Sequence, residues 1–402
     1  MTQHLSNFNI IESSPTIGIY IHIPFCVRKC DYCDFVSIGI GSTPSPSTLT
    51  LVDQYFNALQ EEIKLYDRVL KDKCIKTIYF GGGTPSAINS HYIVELIDLF
   101  KKTYFVDEQV EITLEVNPGT LTEPKIKDYI RSGINRISMG LQTANDTLLA
   151  SIGRIHTRDE FIHTYNWLRT EGFENISLDL MIGLPGQTMR DIVDALQLVT
   201  LLDPPHVSAY SLKVEPGTLL NRKLENHEVE LIDEAIEREM YHYLVDSLKS
   251  IHIEQYELSN FAKKGFESQH NLIYWENKPY LGLGVSAHSK VDSERFGNTR
   301  SMTDYINCFQ HTGQALDRPI IESEKIDLNE DLFETIMLGL RLNKGISISE
   351  IESKYKVSFK DKYETQLSKL ISNALIVLNE DCIYLTELGR DLANQVFVEF
   401  MD

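Results

Sequence analysis

The sequence predicts an α/β fold in which an incomplete TIM-type barrel of six β/α units, (β/α)6, precedes a small α+β domain of winged-helix type. Short apolar strands alternate with amphipathic helices along most of the chain, which is typical of a parallel sheet wrapped by helices. Past residue 317 this pattern gives way to three helices and a hairpin. We expect a tail at 1–16, the barrel at 17–250, a segment that completes the barrel at 251–320, and the small domain at 321–402.

The composition fits a two-domain protein with a sizeable core. The chain has 402 residues, of which 42% are hydrophobic, and its formal net charge is −20. Such a charge disfavours nucleic acid and anionic membrane surfaces as general partners. No apolar run reaches the roughly 18 to 20 residues of a membrane span, and the first fifteen residues lack a signal-peptide pattern. We therefore expect a cytoplasmic protein with no transmembrane segment and no nucleic-acid partner.

The first predicted strand leads into a loop that carries Cys26, Cys30 and Cys33 in a C-x3-C-x2-C spacing. Three thiolates on one loop can converge on a single inorganic site. A four-iron cluster normally takes four protein thiolates, so a loop with three leaves one iron open to another ligand. The alternatives are a structural zinc site, which usually needs paired ligand clusters, and three unrelated thiols. We expect His22, four residues earlier, to be a packed and hydrogen-bonded side chain.

The remaining elements follow in order along the chain. A Gly, Ser and Pro-rich connector at 39–50 precedes a helix at 51–70. The strand at 75–80 runs directly into the sequence Gly-Gly-Gly-Thr-Pro, whose glycines allow backbone to approach a ligand closely. Further strands are predicted at 111–116, 134–139, 176–181 and 207–212, and further helices at 123–132, 189–201 and 228–250.

Polar residues and glycines cluster at the carboxyl end of every predicted strand. In barrels of parallel strands, this edge carries the active site. Six separate segments therefore point at one cavity. The residues at this edge are Cys26, Gly82, Gly83, Thr84, Glu115, Asn117, Gln142, Asp179, Gly183, Ser208 and Tyr210.

Six motifs carry a family resemblance: YIHIPFC, GGGTPS, LEVNPGT, RISMGLQT, SIGRIHT and DLMIGLPGQT. They resemble the radical S-adenosylmethionine (SAM) proteins of the oxygen-independent coproporphyrinogen oxidase branch and, more closely, the heme-chaperone relatives of that branch. The resemblance implies a [4Fe-4S] cluster on Cys26, Cys30 and Cys33, with SAM chelating the open iron. It also implies SAM contacts from Tyr20, Tyr32, Gly82, Gly83, Thr84, Glu115, Gln142, Arg154, Asp179 and Ala209.

The sequence HNLIYW at 270–275 resembles the HNxxYW heme-binding signature of the chaperone relatives. Histidine is a usual axial ligand of heme iron, and aromatic side chains can cover a porphyrin face. The resemblance implies heme as a ligand, with His270 and Tyr274 as its contacts. His288 is a further candidate ligand or a cavity-wall residue. The alternative is that His270 caps a helix and that Tyr274 and Trp275 are core residues.

Two departures from the oxidase pattern favour a chaperone. The oxidase commonly has a further cysteine two positions after the third ligand, where this chain has Phe35, and it has a longer segment than the 25 residues that precede Cys26 here. We predict delivery of heme to apo-hemoproteins or respiratory membrane enzymes. The alternative is oxidative decarboxylation of coproporphyrinogen, or other radical chemistry on a porphyrin. Oligomeric state stays open, and the resemblance suggests a homodimer.

The predicted small domain contains helices at 329–342, 348–354 and 359–372, followed by a hairpin that turns at 379–381. Three helices and a hairpin resemble a winged-helix fold. From residue 328 onward, however, the chain has 8 Lys or Arg against 13 Asp or Glu. Because this charge opposes DNA binding, we expect a lid or a partner-docking module instead.

Overall fold

The computed structural model describes residues 14–310 and 319–401, so most of the predicted tail at 1–16 lies outside it. Seventeen strands occur in this part of the chain. In order they are β1 (Thr16–Ile23), β2 (Phe25–Cys26), β3 (Ile38–Gly39), β4 (Cys74–Gly82), β5 (Val106–Val116), β6 (Arg136–Gln142), β7 (Asn175–Ile182), β8 (His206–Ser211), β9 (Glu254–Glu257), β10 (Asn260–Ala262), β11 (Tyr280–Leu283), β12 (His288–Val291), β13 (Glu294–Asn298), β14 (Ile320–Lys325), β15 (Ile346–Ser347), β16 (Ile376–Leu378) and β17 (Cys382–Leu385).

The helices of the described residues alternate with the first parallel strands and then dominate the carboxyl-terminal part. They are α1 (Pro46–Leu65), α2 (Asp67–Lys71), α3 (Ser90–Thr103), α4 (Glu123–Ser132), α5 (Asp146–Ser151), α6 (Arg158–Thr170), α7 (Met189–Leu202), α8 (Leu219–Glu225), α9 (Glu234–Ser250), α10 (Gln269–Trp275), α11 (Met302–Gln310), α12 (Leu328–Gly339), α13 (Ile348–Tyr355), α14 (Phe359–Lys362), α15 (Glu364–Ser372), α16 (Glu387–Asp391) and α17 (Ala393–Val398). A single 3-10 turn, Pro85–Ala87, follows β4.

The main sheet confirms the predicted α/β architecture. Its strand order within the described chain is β14-β13-β12-β11-β1-β4-β5-β6-β7-β8-β10-β9. The seven neighbours from β11 to β8 are parallel, and the outer strands at both edges are antiparallel. The six strands predicted for the barrel stand side by side in chain order. The sheet stays open, as an incomplete barrel requires.

Two predicted helix boundaries were wrong for the same reason, an unrecognised capping residue. Helix α1 begins at Pro46 rather than at residue 51, because the Ser45 side chain accepts a hydrogen bond from Thr48 N and proline suits the first helical position. The helix expected at 228–250 begins only at Glu234, where Asp233 accepts from Ala235 N. The shorter helix α8 precedes it.

The segment at 251–320 extends both edges of the sheet and also supplies helix α10, which packs against β1, β4 and β5. A Cβ atom at Gly18 would lie 2.6 Å from Ile273 Cδ1, so β1 needs glycine where α10 approaches it. The backbone amides of Gln269 and His270 donate to the Glu111 carboxylate at 3.1 and 3.0 Å. Helix α10 is therefore anchored to the barrel strands at its amino-terminal end.

The carboxyl-terminal part has its own core, formed largely by side chains between Leu332 and Phe400. A three-stranded antiparallel sheet, β15-β17-β16, packs with helices α12 to α17. The hairpin between β16 and β17 turns at 379–381, as predicted. These elements agree with the expected helices and hairpin. Within the described residues, no helix is long and apolar enough to cross a membrane.

Glu62 makes folding stability depend on pH. Its fully buried carboxyl accepts hydrogen bonds from Gly284 N, Asn298 Nδ2 and Tyr305 OH at 2.6 to 2.7 Å, and burial raises its pKa to about 7. The folded state therefore binds a proton more tightly than the unfolded chain, whose carboxyl has a pKa near 4.5. This contribution is complete below pH 4.5 and is lost as pH rises through 7.

We expect about 2.5 kcal/mol of stability from Glu62 at pH 5 to disappear by pH 8, and Glu62→Gln to remove that pH dependence. Urea unfolding of both proteins at pH 5 and pH 8 measures the difference. Comparing the two proteins isolates Glu62 from every other titrating group. Parallel pH profiles for the two proteins would contradict the prediction.

Candidate functional site

The cysteine loop lies across the carboxyl end of the parallel strands. Strands β2 and β3 pair in parallel and close the loop at its base, with Cys26 opposite Gly39. The segment after β4 is hydrogen-bonded to the start of this loop: Gly83 N donates to Ile23 O at 2.9 Å, and Thr84 N donates to Phe25 O at 2.8 Å. A Cβ atom at Gly83 would lie 2.8 Å from Phe25 O, so this close approach needs glycine.

A cavity of about 450 Å³ opens beside this loop. The strand ends expected to point at one cavity do meet there. Eleven residues of the predicted cluster and SAM sites line it: Cys26, Cys30, Cys33, Tyr32, Gly82, Gly83, Thr84, Glu115, Gln142, Arg154 and Asp179.

Two polar side chains point at the sulfur atoms of the loop. Thr84 Oγ1 donates to Cys26 Sγ at 3.6 Å, and Arg154 Nη1 donates to Cys30 Sγ at 3.8 Å. Burial raises the pKa of the Cys33 thiol to about 11. Within residues 14–310 and 319–401, no group of three His, Cys, Asp or Glu side chains lies in place to hold a single metal ion. A four-iron cluster makes a different demand, because each thiolate binds its own iron.

Asn117 joins Arg154 to the glycine-rich segment. Its Nδ2 donates to Thr84 Oγ1 at 2.7 Å, and its Oδ1 accepts from Arg154 Nη2 at 2.6 Å. The same Nη2 donates to Gly140 O at 2.8 Å. The sequence predicts Asn117 at this edge but assigns it no role, and it does not predict how far Arg154 reaches into the cavity. The structure brings Arg154 into the cavity wall through these contacts.

The side chain of Glu115, on β5, is held by hydrogen bonds from the neighbouring strand β4. Its carboxylate accepts from Tyr79 OH at 2.9 Å and from Gly82 N at 3.2 Å. Burial raises the pKa of this carboxyl to about 7. Gly82 has a φ of 108°, and a Cβ atom there would lie 2.6 Å from the His22 ring. Glycine at position 82 thus lets a backbone amide reach Glu115.

Asp179 and Gln142 stand on the neighbouring strands. Ser138 Oγ donates to the Asp179 carboxylate at 3.1 Å and Ser177 Oγ at 3.4 Å, while burial raises the pKa of this carboxyl. Gln142 ends β6 with a left-handed φ of 67°. A non-glycine residue rarely adopts this conformation.

His22 is a packed side chain, as predicted. Its Nε2 lies 2.8 Å from Val36 O, and its Nδ1 lies 3.1 Å from Tyr20 OH. Tyr20 itself does not line the cavity, but its ring stacks on that of Tyr79, which does. Ala209 is buried outside the lining, and its amide donates to Ser259 O.

His270 is buried between α10 and the strands, and only 1% of it is exposed. Its Nδ1 lies 2.7 Å from Thr77 Oγ1 and its Nε2 lies 2.9 Å from Tyr274 OH, so both ring nitrogens have partners. Burial lowers the pKa of its imidazole to about 3. In this conformation neither His270 nor Tyr274 lines the cavity. His288 is exposed and faces Glu322, and it also lies outside the cavity lining.

The rest of the HNLIYW motif connects the cavity to the carboxyl-terminal part. Asn271 lines the cavity, one residue after the buried histidine. The Arg341 guanidinium lies 4.3 Å from the centre of the Trp275 ring. A single short helix therefore touches both the cavity and the last domain.

Sequence reasoning missed Arg136, Ser138 and Tyr79, which also line the cavity. They lie before the carboxyl ends of their strands, whereas only residues at or just past those ends are predicted to line the cavity. Side chains alternate between the two faces of a strand, so residues an even number of positions before Gln142 or Gly81 also face inward. This period of two is the signal from which they could have been predicted.

A parallel, open barrel whose first strand ends in a three-cysteine loop over a cavity defines a radical SAM protein. The model of the Radical SAM superfamily matches residues 20–199, and that of the HemN C-terminal domain matches 326–392. The structure resembles coproporphyrinogen III oxidase (HemN) from Escherichia coli with a TM-score of 0.83 and 21% sequence identity, over 97% of this chain and 91% of that chain. This likeness supports the fold.

Comparison with curated relatives identifies a narrower family within the radical SAM proteins. The heme chaperone HemW of Bacillus subtilis (strain 168) is 37% identical over 95% of this chain and 98% of its own length. Those of Lactococcus lactis and Escherichia coli (strain K12) are 34% and 31% identical, over 95% and 96% of this chain and 96% and 98% of their own lengths. The chain belongs to the HemW family.

Proposed function

We propose that this protein is a heme chaperone that holds a [4Fe-4S] cluster on Cys26, Cys30 and Cys33, binds SAM in the adjoining cavity, and delivers bound heme to apo-hemoproteins. The carrying observation is the three-cysteine loop over a polar cavity in a chain whose relatives are heme chaperones along nearly their whole length.

The three cysteine thiols are suitable ligands for the proposed [4Fe-4S] cluster. Three thiols line one cavity, and polar side chains already point at two of the sulfurs. Hydrogen bonds and positive charge near cluster sulfurs stabilise the added electron of a reduced cluster. A cluster held there would, in its reduced state, supply an electron to the sulfonium of bound SAM. Arg154 and Thr84 would tune the sulfurs that hold it.

The cavity lining fits SAM as the second ligand. Gly82 and Gly83 line the cavity, and their lack of a Cβ lets this backbone pack closely against His22 and Phe25 beside the cysteine loop. Glu115 and Asp179 offer carboxyl groups to ribose hydroxyls or the methionyl ammonium. Gln142 adds an amide at the same edge, and Tyr32, Thr84 and Arg154 add further contacts. Tyr20 and Ala209 would act from behind this lining.

Heme binding by His270 and Tyr274 requires helix α10 to move. In the described conformation the two side chains bond to each other, and Thr77 holds the other nitrogen of the imidazole. An iron ion must displace one of these partners. Since α10 has only seven residues and contacts the cavity through Asn271, its opening would join the cavity to the histidine. We propose that this opening admits heme.

We expect His270→Ala to weaken heme binding by about 10-fold or more, because an axial ligand is lost. Anaerobic titration of the reconstituted protein with heme, followed by its absorption spectrum, measures this change. Thr77→Val is the matched control: it removes a hydrogen bond from the same imidazole but leaves the ligand. We expect it to retain or increase heme affinity, since the histidine is released more easily.

Equal losses in both variants would show that His270 acts through packing alone and would remove it from the heme site. Samples of the same reconstituted protein, incubated with coproporphyrinogen III, SAM and reductant, should yield no decarboxylated porphyrin. Formation of that product would instead make the protein a porphyrin-processing enzyme. The chaperone proposal and the enzymatic alternative are thus separated in one experiment.

The recipients we propose are apo-hemoproteins, among them respiratory membrane enzymes. Six free cysteines and an iron–sulfur cluster suit the reducing cytoplasm, where we place the protein. We also propose a cluster-dependent homodimer. Light scattering of the protein with and without its reconstituted cluster would test this, and an unchanged mass would rule the dependence out.

A further inference from the structure

Arg136 is a buried cation at the inner end of the cavity. It is the first residue of β6, only 2% of it is exposed, and its side chain lines the cavity. Across residues 14–310 and 319–401 its guanidinium makes no hydrogen bond and no ion pair, and its Nε is buried without a partner. Burying an unpaired charge is strongly unfavourable, so a counter-ion is expected at this position.

The two nearby carboxyl groups do not fill this role. Arg136 lowers the pKa of both Glu115 and Asp179, which places them within electrostatic range. Glu115, however, accepts from Tyr79 OH and a backbone amide, and Asp179 accepts from serine hydroxyls that include Ser138. Burial raises the pKa of both carboxyls, so their negative charge is itself disfavoured. Neither carboxyl group is hydrogen-bonded to the guanidinium, which lines the cavity.

We infer that Arg136 is the anion-binding position of the cavity and takes a carboxylate of the bound ligand. A guanidinium presents its N–H groups as a planar fork that matches a carboxylate with two parallel hydrogen bonds. The inference rests on the proposed function, because both proposed ligands carry that group: heme has two propionates, and SAM has one carboxylate, which its chelation of the open iron would already engage. The test separates these two sources.

Arg136→Met and Arg136→Lys are compared with the wild type, all with reconstituted cluster. Each protein is titrated with SAM and with decarboxylated SAM, and with heme and its dimethyl ester. We expect Arg136→Met to weaken binding of the carboxylate-bearing form by about 10- to 100-fold for one of the pairs, and to leave the form without a carboxylate unchanged. The affected pair identifies which ligand reaches Arg136. The lysine variant should recover part of the affinity, since it keeps the charge without the fork.

Lys125→Met is the matched control. Lys125 also donates to backbone carbonyls in the interior, at Ser86 and Thr120, but it does not line the cavity. This control removes one positive charge of the protein without touching the site, and it should leave all four affinities unchanged. Thermal unfolding and cluster absorbance check that each variant is folded. If Arg136→Met does not fold, the comparison of Arg136→Lys with wild type decides, because lysine cannot form the two-bond fork.

Equal effects on the acid and the ester or decarboxylated form, or none on either, would overturn the assignment of Arg136 and leave the proposed function intact. Failure of the wild type to bind either SAM or heme would reject both proposals together. Acid-specific loss confined to Arg136 variants would support the inference.

Discussion

Replacing Cys33 by serine is expected to abolish the intact cluster, with iron and sulfide falling well below the four of each per chain that a [4Fe-4S] cluster contains. Cys33 shares the cavity lining with Cys26 and Cys30, and each thiolate is expected to hold a different iron. Serine offers a hard, weakly acidic hydroxyl in place of a soft thiolate. With one iron already open to SAM, two remaining thiolates cannot hold the cluster.

Anaerobic reconstitution, followed by iron and sulfide analysis and by the visible absorption of the cluster, measures this loss. Cys382→Ser is the control, because Cys382 is a free cysteine of similar partial burial on β17, outside the cavity. We expect the control to reconstitute like the wild type. Full iron and sulfide content in Cys33→Ser would show that the cluster is held elsewhere.

The strand order and the position of the site could be predicted because both follow from local patterns. Apolar runs separated by amphipathic helices predict that consecutive strands lie side by side and parallel. The polar residues at the carboxyl ends of these strands then meet at one edge of the sheet. Cys26, Glu115 and Asp179 lie on three different strands or loops, and they meet in one cavity as expected. The carboxyl-terminal helices and hairpin were predicted for a similar reason, since each is short and bounded by turn residues.

The parts that could not be predicted depend on contacts between distant segments. Nothing near His270 in the sequence indicates that Thr77, 193 residues away, occupies one of its ring nitrogens. The depth of Arg154 is set by Asn117 and Gly140, on other elements. The cap at Ser45 is not distinguishable from a connector in the sequence, because serine followed by proline is typical both of a helix start and of a loop.

Lys290→Ala is expected to destabilise the fold by about 2 to 3 kcal/mol, because it removes a buried ammonium that two carboxylates share, while Lys354 still contacts Asp331 and Arg295 still contacts Glu334. Lys290 is 5% exposed and lies on β12. Its Nζ donates to Asn277 Oδ1 at 2.5 Å, to Asp331 Oδ1 at 2.8 Å and to Glu334 Oε2 at 2.9 Å. Asp331 and Glu334 belong to α12, so this one ammonium group joins the main sheet to the first helix of the carboxyl-terminal part.

Lys354→Ala provides the matched control, since Lys354 Nζ lies 3.0 Å from the other oxygen of the same Asp331 but its side chain is 46% exposed. Solvent screens that pair, and we expect its loss to cost less than about 1 kcal/mol. Urea unfolding of both variants gives the comparison, and limited proteolysis should cut Lys290→Ala first between β14 and α12, where the carboxyl-terminal part separates from the sheet. Similar costs for the two lysines would mean that the buried ammonium does not hold these elements together, and that α12 is retained by its other contacts, among them that of Arg295 with Glu334.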